Sequence, residues 1–400
     1  MCAPCQRPGA AWEPLIQAYG GGATRNEPVT IIGAGLGGLT LARVLHVHGI
    51  PAAVYEAEPS PQARRQGGLL DIHEHNGQPA LEAAGLTEEF RALILEGREA
   101  TRVLAPDGAV LYDEPDDGTG ARPEVQRGEL RRILLESLPA GTVRWGHKVT
   151  GVRTLGDGRH EVAFAGGTTV VTGLLVGADG AWSRVRPLLS DAVPAYAGTS
   201  FVETYLYDAD TRHPAAAKVV GGGSMMAPLP GTGILAHRES GGTLHTYVVL
   251  SKPLEWFAAI DFTDAAAAAV RIAREFAGWA PELTALITDG ETAPVLRPLH
   301  TLPSGHRWDR VPGVTLLGDA AHLSVPNGEG ANLAMQDGAE LAKAIAAHPS
   351  DPEAALAAYE QALFPRSAAE NAEADRDFHR CFGDGAPGSL IDLVSGQVQP

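Results

Sequence analysis

Positive charge is the first thing that this sequence lacks. Its 400 residues include 31 lysines and arginines against 48 aspartates and glutamates, which gives a net charge of −17. Nucleic acids and anionic membranes bind basic surfaces, so neither is expected as the main partner. No apolar run approaches the roughly eighteen residues of a membrane span, and the N-terminus shows no basic segment followed by an apolar core. We therefore expect a cytoplasmic protein.

Cysteine is also scarce, with three residues in the chain. Cys2 and Cys5 form a CxxC pair at the extreme terminus, where the absence of a preceding strand favours an incidental pair over a redox or zinc site. Cys381 lies in a helical pattern and is expected to be a packing residue. The pairs His46-x-His48 and His73-x-His75 have no evident third ligand in the sequence. We expect no metal site.

The most specific pattern lies near the N-terminus. A β-branched strand-like run leads directly into Gly33-x-Gly35-x-x-Gly38, and a helical pattern opens around Leu36. Gly33 allows the tight turn, Gly35 lets the backbone approach a pyrophosphate, and Gly38 lets helix and strand pack closely. Such glycines also occur in ordinary α/β turns, but Glu56 follows at the spacing where an acid binds the adenosine ribose 2′-OH. Because a carboxylate there repels the 2′-phosphate of NADPH, the site is expected to hold FAD or NAD.

The chain as a whole predicts an α/β protein: a Rossmann-like nucleotide-binding domain with an inserted antiparallel-sheet substrate domain and a C-terminal helix. Single strands are expected over 143–152 and 170–176, and a hairpin over 103–112. A helix is expected over 264–279, and a longer one over 351–382 with a break near Pro365. The predicted units are a flexible extension (1–27), the nucleotide-binding domain (28–195 and 301–350), the substrate domain (196–300), a helical segment (351–385) and a tail (386–400).

Two further motifs stand beside the glycine fingerprint. Asp179-Gly180 follows one apolar strand, and Gly318-Asp319 follows another late in the chain. In this order and spacing the three motifs resemble the class A flavoprotein monooxygenases, the group of p-hydroxybenzoate hydroxylase. The resemblance extends from Pro28 to about Phe382, and it is strongest to tetracycline-inactivating monooxygenases and polyketide hydroxylases. It implies that the nucleotide is FAD and that the protein is a monomer.

The resemblance also implies further contacts with FAD. Asp319 is expected to accept a hydrogen bond from a ribityl hydroxyl, although it could simply cap a turn. Asp179 and Gly180 are expected near the pyrophosphate, the alternative being a plain β-turn. Arg127 matches an arginine near the flavin, and otherwise is an exposed residue at a helix start. The helix that opens at Gly330, Ala331 and Asn332 would point its N–H groups at the flavin pyrimidine edge, where they stabilise negative charge.

In this family the protein supplies no covalent nucleophile. NADPH or NADH reduces FAD, O₂ adds to form the C4a-hydroperoxide, and its distal oxygen attacks an electron-rich aromatic or polyketide substrate. The protein holds the substrate near the flavin and excludes water. By resemblance the candidates nearest the reaction are His245, Glu203 and Pro326.

The substrate pocket is expected between the inserted sheet and the flavin. Its expected lining is Glu203, Ser224, Met226, Leu235, His245, Pro326 and Phe382. Glu203 and Ser224 stand where the tetracycline-inactivating enzymes carry a glutamine and an arginine, which predicts weak turnover of tetracycline itself.

Three other classes remain open from the sequence. An NAD-dependent dehydrogenase would leave the two later motifs unexplained. A flavin-dependent halogenase shares the fold, but its Trp-x-Trp-x-Ile-Pro signature does not occur here. A flavoprotein that only sequesters a ligand would show no ligand-stimulated oxidation of NADPH.

Overall fold

The computed structural model describes residues 27–63 and 67–395. The predicted N-terminal extension, apart from its last residue, lies outside the described residues, and so do the CxxC pair, residues 64–66 and the end of the predicted tail. Among the described helices, none is long and apolar enough to cross a membrane.

The chain opens with the unit β1-α1-β2, continues mainly with strands, and ends with four consecutive helices among the described residues. The strands are β1 (Val29–Ile32), β2 (Ala52–Tyr55), β3 (Leu69–Asp71), β4 (Thr101–Leu104), β5 (Val110–Glu114), β6 (Glu124–Gln126), β7 (Val143–Arg144), β8 (Val149–Gly156), β9 (Arg159–Phe164), β10 (Thr169–Thr172), β11 (Leu175–Gly177), β12 (Ala195–Leu206), β13 (Ser224–Leu229), β14 (Thr232–Arg238), β15 (Leu244–Leu250), β16 (Val295–Thr301) and β17 (Val314–Leu316).

The helices are α1 (Leu36–Val47), α2 (Gly77–Ala83), α3 (Thr87–Arg91), α4 (Arg127–Glu136), α5 (Ala209–Arg212), α6 (Pro214–Val220), α7 (Leu254–Ala258), α8 (Ala265–Ala273), α9 (Pro281–Thr288), α10 (Asp319–His322), α11 (Gly330–Ala347), α12 (Pro352–Phe382) and α13 (Gly388–Val394).

The first sheet is parallel and has the order β17-β11-β1-β2-β7. Its central strand β1 is buried along its whole length, as a β-branched run covered on both faces should be. Helices α1 and α11 pack closely against each other. A Cβ at Gly338 on α11 would lie closer than 3.0 Å to the carbonyl oxygen of Gly37 on α1. The Rossmann-like α/β architecture that the sequence predicts is confirmed.

The second sheet has seven strands in the order β16-β12-β15-β14-β13-β4-β5. One of its faces packs with helices α6, α8 and α9 in a separate apolar core. The other face carries the side chains at alternate positions, among them Glu203, His245 and Leu235. Since successive side chains of a strand point to opposite faces, this second face is set by the same alternation that builds the core.

The hairpin 103–112 forms as β4 and β5, but it joins the second sheet. β4 pairs with β13 in parallel, with Ser224 opposite Thr101, so the sheet is mixed and not purely antiparallel. The sequence analysis had placed this hairpin with residues 28–195. Sheet membership depends on a partner more than a hundred residues away, which local patterns do not encode.

Three expected elements have different bounds. The run 143–152 divides at Gly146, where φ is 74°, so that β7 joins the first sheet and β8 pairs with β9. The run 170–176 divides at Gly173 into β10 and β11, which also belong to different sheets. The helix expected over 264–279 ends as an α-helix at Ala273 and continues as a short 3₁₀ turn.

Helix α12 is not interrupted at Pro365. It runs through 31 residues with the proline inside. Leu363 and Ser367 are buried on either side of Pro365, and this packing holds the helix together across the hydrogen bond that proline cannot make.

Candidate functional site

The glycine loop between β1 and α1 is built by close backbone contacts. Gly33 has a φ of 106°, and a Cβ there would lie closer than 3.0 Å to the carbonyl oxygen of Ala178. A Cβ at Gly38 would lie equally close to the carbonyl oxygen of Gly33. Gly35 differs, because a Cβ there would have no protein atom within 4 Å. Two of the predicted glycines therefore serve packing, and the third borders open space.

The first turn of α1, which opens at Leu36, has neither a side-chain cap nor an acidic residue. Its N–H groups and its dipole are thus available to an anion at this end. Glu56 lies beside the loop, as expected. Its Oε2 accepts a hydrogen bond from the Ala34 N–H at 2.7 Å, and its Oε1 accepts one from the Glu58 N–H at 2.9 Å. Contact of Glu56 with a ribose stays a prediction.

Arg131 is a neighbour of this loop that the sequence analysis missed. It is buried on α4 and donates from Nε to the Ala34 carbonyl at 3.0 Å. The available signal was an arginine beside Leu130 and Leu134 on the apolar face of that helix.

The turn at Asp179 and Gly180 borders the same loop through Ala178. Asp179 Oδ2 accepts a hydrogen bond from the Arg184 N–H at 2.7 Å, whereas its Oδ1 is buried without a partner in the described structure. Burial raises the pKa of Asp179. Gly180 has a φ of 75° and open space at its Cβ position. An unsatisfied carboxylate oxygen at this place fits a polar group of a ligand.

Gly318 and Asp319 follow β17, which lies next to β11 in the first sheet. The side chain of Asp319 is accessible, yet the surrounding protein desolvates it and raises its pKa. Arg127 and His322 act in the opposite direction through their charge. An accessible carboxylate that is nevertheless desolvated lies in a cleft, and Arg127 is near enough to influence it. Arg127 and Asp319, which were predicted separately, therefore interact through their charges, and their contact with FAD stays a prediction.

Asp337 supports this turn from beneath, and the sequence analysis missed it. Its Oδ2 accepts hydrogen bonds from the Gly318 N–H at 2.9 Å and from His322 Nε2 at 2.6 Å. Its Oδ1 accepts one from Arg366 of α12 at 2.8 Å. Asp337 is fully buried, and these donors hold its pKa low against the effect of burial. The signal was a carboxylate on the apolar face of α11, next to Gly338.

The start of α11 contains Gly330, Ala331 and Asn332. The first turn has no side-chain cap and no acidic residue, so its N–H groups can face a ligand. The Asn332 side chain is used differently. Its Oδ1 accepts from the His73 N–H at 3.1 Å and its Nδ2 donates to the Asp71 carbonyl at 2.8 Å. Asn332 thus ties α11 to the end of β3.

An ionic cluster adjoins this helix start. His73 is buried and bonds through Nδ1 to Glu329 at 2.6 Å and through Nε2 to Asp71 at 2.8 Å. Burial opposes its protonation, but the two carboxylates raise the pKa of His73 to about 9. Asn76 donates to the other oxygen of Glu329 at 2.7 Å, and the exposed His75 lies 3.5 Å from Glu329.

Glu329 is an acidic neighbour of His73-x-His75 that the sequence did not reveal. Two ring nitrogens that both face carboxylates describe a protonated histidine and not a metal ligand. That the protein has no metal site stays a prediction.

The face of the second sheet opposite the helices carries a second ionic cluster, around Glu203 and His245. The Glu203 carboxylate accepts hydrogen bonds from His245 Nε2 at 2.9 Å, from the Tyr205 hydroxyl at 2.8 Å and from Arg297 Nε at 2.9 Å. Burial works against ionisation, but these donors lower the pKa of Glu203 to about 2. His245 Nδ1 bonds to Glu239 at 2.9 Å, and the two carboxylates raise the pKa of His245 despite its burial.

This arrangement leaves Glu203 and His245, which were predicted separately, bonded to each other. Both ring nitrogens of His245 are used and its side chain is 1% exposed. The ring stacks on Tyr205 at a centroid distance of 4.2 Å and contacts Tyr247 at 4.4 Å. Direct contact of His245 or Glu203 with a substrate stays a prediction, while Tyr247 and the more exposed Arg297 are face residues that the sequence analysis did not name.

The remaining predicted pocket residues fall in three places. Ser224, Met226 and Leu235 share the sheet face with His245, and Ser224 Oγ bonds to His237 Nδ1 at 2.9 Å. Pro326 is exposed on the loop before α11. The last one, Phe382, packs with Phe201 and Val249 in a small apolar cluster and also borders a cavity of about 380 Å³. That cavity is lined by Ala197, Ser251, Thr301, Val325, Asp375, Phe378, His379, Phe382 and Gly383.

Comparison with known proteins shows the family to which the chain belongs. The chain matches the model of the FAD binding domain family over residues 26–283 and 302–372. The chain belongs to this family. The FAD-binding domain family includes the class A flavoprotein monooxygenases, and the resemblance found in the sequence is confirmed. The protein is therefore an FAD-dependent monooxygenase.

The similarity to individual relatives extends over most of this chain and most of theirs. The chain is 33% identical to 3-amino-4-hydroxybenzoate 2-monooxygenase PtmB3 of Streptomyces platensis, covering 86% of each chain. The fold resembles that of Klebsiella pneumoniae HpxO complexed with FAD and uric acid, with a TM-score of 0.76, 24% identity and coverage of 94% and 93%. It also resembles the tetracycline destructase Tet(51), with a TM-score of 0.70, 18% identity and coverage of 93% and 95%.

The residues present fit the FAD of this family. A dinucleotide needs a close-packed loop with one open glycine, an uncapped helix start and a polar group near the pyrophosphate. Gly33, Gly35 and Gly38, the start of α1 and the unsatisfied Oδ1 of Asp179 supply these three features. Asp319 and Arg127 would hold the ribityl side, and the start of α11 would face the flavin ring.

Proposed function

We propose that this monooxygenase hydroxylates a planar aromatic or polyketide phenol with electrons from NADPH or NADH. When bound and reduced, FAD supplies one oxygen atom from O₂ to the substrate ring. The protein's own task is then to hold that ring beside the cofactor and keep water away.

The observation that carries the proposal is a sheet face on which apolar and polar side chains adjoin. Phe201, Val249 and Phe382 form an apolar cluster. Tyr247 packs against this cluster and against His245, and Arg297 lies opposite Phe201 while its guanidinium reaches Glu203. A flat ring with oxygen substituents suits such a face, because its aromatic surface packs with the apolar side chains and its hydroxyl groups bond to the polar ones. The adjoining cavity of about 380 Å³ is within the usual size of small-molecule sites.

Tetracycline itself is expected to be a poor substrate. The Glu203 carboxylate already accepts hydrogen bonds from three side chains of the protein, and Ser224 bonds to His237. Neither position offers the amide or guanidinium group that the tetracycline-inactivating enzymes are expected to use there. PtmB3 is named for an aminohydroxybenzoate, and the liganded HpxO structure contains uric acid, which supports a smaller ring system here.

A substrate panel tests the proposal. FAD-loaded protein is incubated with 3-amino-4-hydroxybenzoate, uric acid, a planar polyketide phenol and tetracycline, with either NADPH or NADH. Stimulated oxidation of the nicotinamide, release of H₂O₂ and addition of one oxygen atom to the ligand are measured together. We expect coupled hydroxylation of an aromatic or polyketide phenol and little turnover of tetracycline.

Two results would contradict the proposal. Efficient oxygenation of tetracycline would show that the interpretation of Glu203 and Ser224 is wrong. Tight binding of a phenol without stimulated NADPH or NADH oxidation would favour a ligand-sequestering flavoprotein or a different FAD oxidoreductase.

A further inference from the structure

We propose that His73 is a positioning residue for FAD. As an imidazolium between Asp71 and Glu329, it holds the loop before α11 against the end of β3, and so fixes the helix start that faces the flavin. The inference rests on the expected placement of FAD at the start of α11 and on this chain's own contacts, and it does not depend on which substrate is used.

The geometry joins two distant parts of the chain at one ring. Nδ1 of His73 bonds to Glu329, which is 256 positions away in the sequence, and Nε2 bonds to Asp71, which is two positions away. Two carboxylate acceptors on one imidazole require both ring nitrogens to carry a proton. Together with the hydrogen bonds of Asn332, the bridge Asp71–His73–Glu329 connects loop and strand, and both hydrogen bonds of this bridge exist only while His73 is charged.

Glu329 is also the residue from which α11 begins, as its N-cap. Asn76 secures the second oxygen of Glu329, and Asn332 secures the first turn to β3 through two further hydrogen bonds. Because these partners have no titrating proton near neutral pH, His73 is the member of the group that makes the connection sensitive to pH.

Other charged groups interact with this ring or with the carboxylates that hold it. Asp71 on β3, Glu329 before α11 and Glu124 on β6 interact with His73 itself. Arg122 interacts with Asp71, and His75 before α2 and Glu370 on α12 interact with Glu329. Burial raises the pKa of Glu124 to about 8, so this group titrates in the same range. An effect of Glu124 must therefore be separated from that of His73 by comparing variants that both retain it.

The direction of the effect follows from linkage. Bonding to both carboxylates raises the pKa of His73, so the bonded arrangement is fully stabilised below the ordinary pKa of histidine. This stabilisation is lost as the pH rises through the raised pKa. For His73 this window runs from its ordinary value of 6.5 to about 9. FAD affinity should therefore fall as the pH rises across this range.

The experiment measures release of FAD from the holoprotein. Dilution at a series of pH values from about 6 to about 10, followed by recovery of free flavin fluorescence, gives the dissociation constant at each pH. From the lower to the upper end of this pH window, we expect the FAD dissociation constant of the wild type to rise about threefold to tenfold more than that of His73→Gln. Glutamine can still bond to one carboxylate, but it carries no charge and does not titrate.

Two more variants make the outcome decisive. His75→Gln removes an exposed neighbouring histidine and should keep the wild-type pH dependence. Glu329→Gln keeps the size of the side chain but removes the charge that His73 bridges, and it should lose the dependence even if His73→Gln fails to fold. The same pH dependence in wild type and His73→Gln, or in wild type and Glu329→Gln, would overturn the proposal.

Discussion

Alanine substitutions at Gly35 and Gly38 should separate the fold of the nucleotide loop from its ligand contact. The two glycines lie three positions apart, but their surroundings differ. A Cβ at Gly38 would lie closer than 3.0 Å to the Gly33 carbonyl oxygen and 3.2 Å from the Ala178 Cβ. A Cβ at Gly35 would meet no protein atom within 4 Å, and the φ of −76° at Gly35 is open to alanine.

The expected magnitudes follow from these distances. Gly38→Ala forces α1 away from the loop, and overpacking of this kind costs about 1–3 kcal/mol of unfolding free energy. Gly35→Ala lies at a helix N-cap, where a small loss relative to glycine is offset by lower entropy of the unfolded chain, so stability should change by less than about 1 kcal/mol. Its methyl group, however, projects into the open space where the pyrophosphate is expected to approach, and FAD affinity should fall at least about tenfold.

Urea unfolding without added FAD, together with flavin fluorescence titration, measures the two effects separately. We expect Gly35→Ala to unfold like wild type and bind FAD weakly, and Gly38→Ala to lose both properties. Wild-type FAD affinity in Gly35→Ala would refute the assignment of the open glycine to the cofactor. Equal loss of stability in both variants would refute the packing argument.

Two other substitutions test the site. Asp319→Ala should weaken FAD binding by about tenfold to a hundredfold, since a ribityl hydroxyl would lose its acceptor. Excess FAD should restore most of the lost melting temperature by mass action. A fall in melting temperature with unchanged FAD affinity would leave Asp319 as a turn cap only. Glu203→Gln removes the charge that three donors share, and the lowered pKa of Glu203, about 2 against 4.5, corresponds to at most about 3 kcal/mol at neutral pH. Because the native pKa is depressed, this stability is present above pH 4.5 and is lost as the pH falls toward 2. The difference between wild type and variant in urea unfolding should therefore shrink in acid, and a difference that is independent of pH would point to packing alone.

The parts of the site that are formed by residues close together in the sequence were predictable from the sequence. β1, the glycine loop and α1 follow one another directly, so their spacing alone predicted the nucleotide fold. The contact between Asp337 and Gly318 could not be predicted in this way, since it depends on how α11 packs beneath the turn. Resemblance suggested Glu203 and His245 separately, but their mutual hydrogen bond depends on the register of β12 with β15, in which Tyr205 lies opposite His245.

The same distinction applies to the errors. The runs 143–152 and 170–176 have continuous strand propensity, and each divides because its two halves find partners in different sheets. Local propensity is a weak guide wherever tertiary pairing decides.

The parallel pairing of β4 with β13 has a consequence for how this protein can change during evolution. The sheet that carries the proposed substrate face is assembled from two segments of the chain, and a fragment containing only residues 196–301 would expose β13 as a bare edge that invites aggregation. Exchange of this sheet between related enzymes would have to transfer both segments together, with their register intact. New substrate preferences are therefore expected to arise more readily from single replacements on the sheet face opposite the helices than from recombination of whole modules.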